Sequence, residues 1–193
     1  MSSRDREEII HKVVQLAAKI LVEEGHEALT VRRIAQESGS STQLIYTLFG
    51  GKFGLLDGLY KEGFIRFRDF MATNRASADC CKNLENWIRS YRDFAIQYRP
   101  FFNVMFTRPV PEYVPPIESL EFAWKSLEQL LKAVQKAQVA GFLKGDPTLV
   151  ALRLWSQSHG IVSLELIGHL SDKTSDQLYE EFIRNIWVGG NCT

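Results

Sequence analysis

The sequence lacks the features that define several large classes of protein. It holds only three cysteines, Cys80, Cys81 and Cys192. An odd count with two adjacent members is no disulfide framework, and it indicates a reducing compartment. No apolar run approaches the roughly 20 residues that cross a bilayer, and the charged start of the chain has no apolar signal-peptide core. We therefore expect a cytoplasmic protein without a membrane segment.

The chain also lacks an excess of charge of either sign. Lysine and arginine together number 23, aspartate and glutamate together number 23, and the formal net charge is +0. A protein that binds nucleic acid commonly shows a basic excess, so this balance argues mildly against such a role. Residues 1–55 are balanced as well. A DNA-binding function must therefore depend on where the charges lie rather than on their sum.

Residue patterns typical of catalysis are scarce. The sequence contains no glycine-rich phosphate loop, and no His, Cys or carboxylate cluster has metal-ligand spacing. Ser156 and Ser158 lie close to His159, but these spacings on a helix make no acid–base–nucleophile arrangement without a third group. We interpret His159 as a hydrogen-bonded histidine of the core. Cys80-Cys81 could sense oxidants or thiophilic metals, although neighbouring cysteines near a loop are more commonly incidental. The prediction is a protein that is not an enzyme and has no catalytic residue, metal site or cofactor.

Apolar residues at helical spacing occur along the whole chain, and no segment shows a sustained two-residue alternation. In the first helix, for example, Val13, Ala17 and Ile20 share one face. A polar stretch at 73–79 predicts a hinge, and 109–116, with four prolines, predicts a rigid loop. The fold class is therefore all-α, with about nine helices predicted at 5–24, 31–39, 42–49, 52–71, 82–98, 101–107, 117–140, 147–170 and 176–188.

Residues 29–52 predict a helix, a tight turn and a second helix. Gly39 supplies the turn. Ile34, Ile45 and Phe49 can hold both helices against the first one. A pair held in this way projects its second helix, which can then lie in the major groove of DNA. The turn pattern alone is a weak signal, because many helical proteins contain such a pair and bind nothing.

A longer set of residues surrounds this motif: Leu16-Ala17-Ala18, Gly25, Leu29-Thr30-Val31, Ile34-Ala35, Gly39, Ile45-Tyr46, Phe49, Lys52 and Leu55-Leu56. Further along come Gly141-Phe142, Asp146-Pro147, Trp155 and His159-Gly160. The first set, within residues 6–60, resembles the tetracycline-repressor (TetR) family of bacterial regulators, and the second is similar to a C-terminal type of that family marked by a Trp and a His-Gly pair. The resemblance implies a helix-turn-helix DNA-binding domain at 1–55 and a helical ligand-binding and dimerisation domain at 56–193. It further implies a repressor that binds a palindromic operator in double-stranded DNA as a homodimer and is released by a small-molecule effector.

The resemblance also implies roles for individual residues. Gln43 would bond an adenine, and Leu44 would touch a thymine methyl group. Tyr46 and Lys52 would hold phosphates. The chain departs from the family at Ser40, where Val is common, at Thr47-Leu48, where His-Tyr is common, and at Gly50-Gly51, where Pro-Ser is common, so Leu48 also fits a core position. The predicted DNA-binding residues are Thr30, Arg32, Ser41, Thr42, Gln43, Leu44, Tyr46, Thr47 and Lys52.

Helices five to seven are rich in aromatic residues, and in the family this region encloses the effector pocket. Any single aromatic residue fits a plain core position, but as a group they suit a mainly apolar cavity. We therefore expect an apolar or aromatic ligand. The predicted ligand-binding residues are Trp87, Tyr91, Phe94, Phe102, Phe106, Trp124, Trp155 and His159.

Helix eight carries small residues beside a heptad-like apolar stripe, which allows two backbones to approach closely. We predict that helices eight and nine pair with those of a second copy, since a helix-turn-helix normally reads two half-sites. The alternative is that the small residues pack within one protomer. For the whole chain, the alternative is a helical ligand-binding and dimerisation module without specific DNA binding. The predicted dimer residues are Ser156, Gly160, Ser163, Leu178, Phe182 and Ile186.

Overall fold

A computed structural model describes residues 3–73, 77 and 79–187. Within these ranges the chain is all-α and forms nine helices, which confirms the predicted fold class. The helices are α1 Ser3–Glu23, α2 Val31–Ser38, α3 Thr42–Phe49, α4 Lys52–Thr73, α5 Cys80–Gln97, α6 Arg99–Phe106, α7 Ile117–Val139, α8 Pro147–Leu166 and α9 Asp172–Asn185.

The helices form two compact units. The first unit consists of Met1–Arg66 and Tyr98–Ala123, and the second of Phe67–Gln97 and Trp124–Thr193. Helices α4 and α7 each run from one unit into the other without a break. These units are defined by compactness alone. The functional division into a DNA-binding domain at 1–55 and a ligand-binding domain at 56–193 stays a prediction.

Local hydrogen bonds fix the ends of α2 and α3. The side chain of Thr30 accepts from the backbone N–H of Arg33 at 3.2 Å, and that of Ser41 accepts from the backbone N–H of Leu44 at 3.1 Å. Gly39 ends α2 with a φ of 71°, a left-handed conformation that side chains disfavour. Each helix has eight residues, which is too short for stability in isolation.

Burial of apolar side chains supplies the remaining stability of α2 and α3, as α2 packs against α1 and α3 packs against α2. Ile34 of α2 and Ile45 of α3 are fully buried, and so are Val13 and Ala17 of α1. The ammonium group of Lys12 also donates to the backbone carbonyl of Ser38 at 2.6 Å, which ties α1 to the C-terminal end of α2. The predicted core face of the first helix and the inward position of Ile34 and Ile45 are therefore confirmed.

Several predicted helix ends differ from the structure by two to four residues, among them the end of helix nine at Asn185 instead of residue 188, and three of the differences have a visible local cause. Helix α9 begins at Asp172 instead of Asp176, because the side chain of Ser171 caps it by accepting from the N–H of Thr174 at 3.2 Å. Helix α8 ends at Leu166 instead of Leu170, where the chain turns through Gly168 with a φ of 80°. Helix α5 begins at Cys80 instead of Lys82, because the carboxylate of Asp79 accepts from the N–H of Cys81 at 2.8 Å. Residues 74–76 and 78 of the predicted hinge, and residue 188 at the predicted end of helix nine, lie outside the described residues.

An ion pair lies inside the second unit, where α5, α8 and α9 meet. The guanidinium of Arg92 donates to both carboxylate oxygens of Glu165, at 2.7 and 2.5 Å. The side chains are only 16% and 7% exposed, respectively. Arg92 also donates to Asp176 of α9 at 2.5 Å. The arginine therefore joins three helices, and it neutralises a carboxylate that has lost most of its water.

We predict that Arg92→Met destabilises the protein by about 3 kcal/mol, because the carboxylate of Glu165 is left buried without a positive partner. Urea unfolding followed by circular dichroism measures the change. The matched control is Arg89→Met on the same helix, whose ion pair with Glu180 has side chains 46% and 57% exposed. That control should cost less than about 1 kcal/mol, and equal losses for the two variants would contradict the account.

Candidate functional site

The residues predicted to bind DNA lie at the start of α2, along α3 and at the start of α4. Ile45 points into the core, so the opposite face of α3 meets solvent. Tyr46 is 55% exposed on that face. Leu44 and Lys52 are half-buried, and the exposed members are Thr30, Arg32, Ser41, Thr42, Gln43, Tyr46 and Thr47. The structure thus presents these residues on a short, anchored helix and its flanks, while their contacts with DNA remain predicted.

The hydroxyl groups of this surface are largely engaged within the protein. Thr30 and Ser41 cap helices, and the hydroxyl of Thr47 donates to the backbone carbonyl of Gln43 at 2.8 Å. The bond at Thr30 stabilises the start of α2, and the bonds at Ser41 and Thr47 stabilise α3. These hydroxyl groups are therefore already used within the protein. The side chains of Arg32, Thr42, Gln43 and Tyr46 are exposed and carry polar groups that an outside partner can reach.

Two adjacent arginines of α2 differ sharply in their surroundings. The guanidinium of Arg33 forms a two-pronged contact with Glu24, at 2.7 and 2.5 Å, and donates to Glu37 at 2.6 Å. The hydrogen bond from Arg33 holds the pKa of Glu24 below its ordinary value. Arg33 is thus committed to two carboxylates, whereas Arg32 is exposed. The four-residue spacing of Arg33 and Glu37 was the sequence signal for this pairing.

Lys52 has a positional role that sequence reasoning missed. Its ammonium group donates to the backbone carbonyl of His26 at 2.8 Å and so ties the start of α4 to the loop after α1. An ammonium group has three donors, so this bond does not prevent a phosphate contact. Lys52 and His26 are 26 positions apart, and no local sequence pattern predicts a hydrogen bond over that separation.

Asp57 of α4 is a second residue whose role the sequence did not indicate. Its carboxylate accepts hydrogen bonds from the hydroxyl of Tyr113 at 3.1 Å and from the hydroxyl of Ser119 at 2.6 Å. Lys61, one turn along α4, lies 2.8 Å from the other carboxylate oxygen. These contacts join α4 to the segment before α7 and to the first turn of α7, all within the first unit.

The predicted ligand-binding residues fall into two clusters. In the first unit, the rings of Phe102 and Phe106 lie 4.9 Å apart, and Phe106 lies 5.8 Å from Phe64. In the second unit, three fully buried side chains surround Phe67 at ring distances of 5.2 to 6.3 Å: Trp87, Tyr91 and Phe94. The indole N–H of Trp87 is buried and has no hydrogen-bond partner among the described residues.

A chain of hydrogen bonds links α5 to α8 in the second cluster. The indole N–H of Trp155 donates to the hydroxyl oxygen of Tyr91 at 3.1 Å, and that hydroxyl lies 2.9 Å from Nδ1 of His159. The direction of this second bond depends on the tautomer of His159, because a hydroxyl oxygen can accept two hydrogen bonds as well as donate one. Burial lowers the pKa of His159, which favours the neutral imidazole. The interpretation of His159 as a hydrogen-bonded histidine is confirmed.

A small cavity of about 150 Å³ lies between α7 and α8. Trp124 and Trp155 form part of its wall with their rings 6.4 Å apart, and Trp124 is 59% exposed. Apolar side chains dominate the lining, which consists of Trp124, Leu127, Glu128, Leu130, Leu131, Thr148, Ala151, Leu152 and Trp155. The cavity brings together two of the residues predicted to bind a ligand.

The residues predicted to form a dimer occupy different environments. Ser156 and Gly160 are exposed on α8, whereas Ser163 and Leu178 are half-buried. Phe182 of α9 and Ile186, the residue that caps the C-terminal end of α9, are only 3% and 7% exposed. These two side chains therefore lie in the core of the protomer, and Ser156 and Gly160 are the exposed members of the predicted set.

The cysteines differ from the expected reduced set. Cys80 is a free thiol at the first position of α5, while Cys81 is buried and disulfide-bonded. The odd cysteine count therefore did not predict the state of Cys81. The carboxylate of Asp79 and the sulfurs of Cys80 and Cys81 lie within 4.8 Å of one another. A disulfide sulfur supplies no thiolate, so we assign no metal to this group.

Two family models match the chain. Residues 84–186, more than half of the 193 residues, match a model described as the tetracyclin repressor-like C-terminal domain, and residues 13–59 match that of bacterial regulatory proteins of the tetR family. The chain therefore belongs to the tetR family of helix-turn-helix DNA-binding transcription regulators, as the resemblance predicted. A comparison with curated proteins found no match. Among the described residues, no helix is both long and apolar enough to cross a membrane.

Solved structures share the fold over nearly the whole chain. A protein of unknown function from a Rhodococcus species is 23% identical, with a TM-score of 0.81 and 93% of each chain covered. The TetR family transcriptional regulator PfmR from Thermus thermophilus is 18% identical, with a TM-score of 0.71 and 100% of each chain covered. The fatty acid degradation regulator FadR from Bacillus halodurans is 15% identical, with a TM-score of 0.72, and the match covers 92% of this chain and 95% of FadR. At these identities the similarity establishes the fold alone.

The lowered pKa of His159 leads to a pH-dependent contribution to stability. Because burial holds this pKa below 6.5, the unfolded chain takes up a proton there at a higher pH than the folded chain does. The stability from neutral His159 is therefore complete above pH 6.5 and is lost as the pH falls below that value. We predict that the free energy of unfolding falls less steeply in His159→Gln than in the wild type between about pH 7.5 and about pH 5.5.

Urea unfolding at several pH values measures these slopes. His169→Gln is the matched control, because His169 is exposed just after α8 and should keep the wild-type slope. Equal slopes for His159→Gln and the wild type would show that His159 has the same pKa in both states.

Proposed function

We propose that this chain is a dimeric repressor that works in the bacterial cytoplasm, binds a palindromic operator, and is released by a small apolar or aromatic ligand. The observation that carries the proposal is the exposed outer face of α3, a helix whose inner face is anchored by the fully buried Ile45. The proposal gives no catalytic role to His159 or to its neighbouring serines. The description of the C-terminal domain as tetracyclin repressor-like supports repression over activation.

The geometry of α3 suits the major groove. A recognition helix contacts bases with its N-terminal residues, and here Thr42, Gln43 and Leu44 form that end. A glutamine side chain can bond both polar groups of an adenine edge. Arg33 is neutralised by Glu24 and Glu37, whereas Arg32 keeps its positive charge exposed to solvent on α2. A chain with zero net charge can therefore still present a local positive charge to a DNA phosphate.

A second copy of the chain fits the exposed side of α8. Gly160 lies inside that helix, and a Cβ built there meets no atom within 4 Å. A glycine within a helix costs about 1 kcal/mol relative to alanine, and no contact of the protomer accounts for this cost. Close approach of a partner backbone does account for it. Leu149, Leu164 and Ile167, which are 67%, 44% and 65% exposed, supply further apolar area on and just after α8.

The second unit offers a place for the ligand. The cavity between α7 and α8 has a volume of about 150 Å³ and is walled by two indoles, and a cavity of roughly this size holds a single aromatic ring. Ligand binding would shift α4, which runs unbroken into the first unit, and the recognition helices would lose the spacing that fits DNA.

Selection of duplexes from a random DNA pool tests the proposal, and the purified protein should enrich a palindrome. We then predict that Gln43→Ala relaxes the preference at one base position of each half-site by about 1–3 kcal/mol, since a base contact is lost. Tyr46→Phe should instead weaken binding to all sequences alike, since a phosphate contact carries no base preference. Fluorescence anisotropy with single-base variants of the duplex measures both effects.

The control for this pair is Gln36→Ala, which removes an exposed glutamine from α2 and should leave affinity and preference unchanged. If Gln43→Ala keeps the full base preference, the assignment of α3 as the reader is wrong. Enrichment of no duplex by a folded dimer would favour the helical ligand-binding and dimerisation module without specific DNA binding.

The dimer surface yields a separate prediction. Gly160→Leu should raise the dimer dissociation constant by roughly 100-fold or more, because the new side chain separates the two α8 backbones. The open space around Gly160 leaves the protomer folded. Analytical ultracentrifugation measures the dissociation constant. Gln135→Leu, which places the same side chain on the exposed side of α7, is the matched control. A Gly160→Leu variant that stays a dimer would place the interface elsewhere.

A further inference from the structure

The carboxylate of Asp57 ties together the two helices that leave the first unit. Asp57 lies on α4, and its donors Tyr113 and Ser119 lie just before α7 and in its first turn. Helices α4 and α7 both continue unbroken into the second unit, at residues 66–67 and 123–124. Among the described contacts of the first unit, this carboxylate is therefore where these two helices are joined by charge-assisted hydrogen bonds.

The two donors are well shielded from solvent. Ser119 is fully buried and Tyr113 is 8% exposed. Burial by itself would raise the pKa of Asp57, but hydrogen bonds from Lys61, Ser119 and Tyr113 outweigh it and hold the pKa below its ordinary value. The carboxylate is thus charged at neutral pH, and hydrogen bonds to a charged acceptor are stronger than those between neutral groups.

The segment that carries Tyr113 is stiff, so its hydrogen bond to Asp57 can hold the first turns of α4 in place. Four prolines lie at 109–116 and fix φ on both sides of Tyr113. The ring of Tyr113 also lies 6.5 Å from that of Phe53, one turn before Asp57 on α4. Two neighbouring turns of α4 are therefore held by the same tyrosine.

These turns lie directly after the recognition helix. Helix α4 starts at Lys52, and only Gly50 and Gly51 separate it from the end of α3. A rotation or shift of the first turns of α4 is consequently passed to α3 over a very short connection. A change in α7 that breaks or moves the bond to Ser119 would reach the DNA-reading helix by this route.

We propose that Asp57 is a positioning residue for DNA binding: its hydrogen bonds to Tyr113 and Ser119 hold the start of α4, and with it α3, in the orientation that reads DNA. The inference rests on the proposed function, because it assigns to this carboxylate the control of operator affinity. Asp57 itself does not contact DNA.

Variants that remove one hydroxyl each provide the test. Tyr113→Phe and Ser119→Ala delete a donor and keep the charge of Asp57 and most of the packing. Each should raise the dissociation constant for the duplex enriched by the wild type by roughly tenfold. Lys61→Met is the matched control, because it removes the 45% exposed third partner of the same carboxylate and should change affinity less than about twofold. Fluorescence anisotropy measures all four proteins.

A double-variant comparison separates positioning from a general loss of stability. In an Asp57→Asn background the acceptor charge is gone, so Tyr113→Phe should add less than about a twofold change. If instead the effects of the two substitutions multiply in full, Tyr113 acts without Asp57 and the proposal is overturned. Wild-type affinity in both Tyr113→Phe and Ser119→Ala would overturn it as well, while leaving the DNA-binding function intact.

Failure of the proposed function is distinguishable, because then the wild type itself enriches no duplex. Hydrogen exchange of the backbone amides at 53–60 still tests the positioning claim in that case. Faster exchange at these amides in the Tyr113→Phe and Ser119→Ala variants, and not in Lys61→Met, would support the hold on α4. Unchanged exchange in the two hydroxyl variants would overturn it.

Discussion

Burial of Ile45 is the interaction on which the proposed DNA-reading surface depends. Helix α3 has only eight residues, and a helix of that length does not persist in water without tertiary contacts. The fully buried Ile45 fixes one side of the helix in the core of the first unit, so the opposite side must face solvent. The caps at Ser41 and Gly50 close its two ends. The polar residues of α3 can therefore act as a rigid group, because their backbone is held from behind.

The electrostatics of the first unit follow from pairing rather than from composition. Acidic and basic residues are equal in number over the chain. Arg33 nevertheless forms ion pairs with Glu24 and Glu37, whereas the neighbouring Arg32 is exposed to solvent. The carboxylate of Asp57 is likewise directed inward, where it accepts hydrogen bonds from two hydroxyl groups. A neutral chain can in this way present a local positive charge beside α3. The same pairings hold the positions of α2 and α4.

The sequence predicted the features that depend on near neighbours and missed those that join distant residues. The turn at Gly39 follows from local backbone chemistry, and it is confirmed. The bonds of Asp57 join residues 56 and 62 positions apart, which no periodic pattern reveals. The burial of Phe182 within its own protomer was likewise beyond the pattern, because helical spacing shows that a side chain lies on an apolar face but not what covers that face. The family resemblance predicted the class of protein, whereas the packing of the helices determines which of the predicted residues are exposed.

A crystal structure of the protein bound to its enriched duplex would show whether α3 reads the DNA. We expect the N-terminal end of α3 to lie in the major groove of each half-site, with Gln43 on a base edge and Ile45 still buried behind it. The two α3 helices should lie about one helical turn of DNA apart, which is roughly 34 Å. A complex in which another surface meets the DNA, or in which α3 lies outside the groove, would contradict the claim that this anchored helix is the reader.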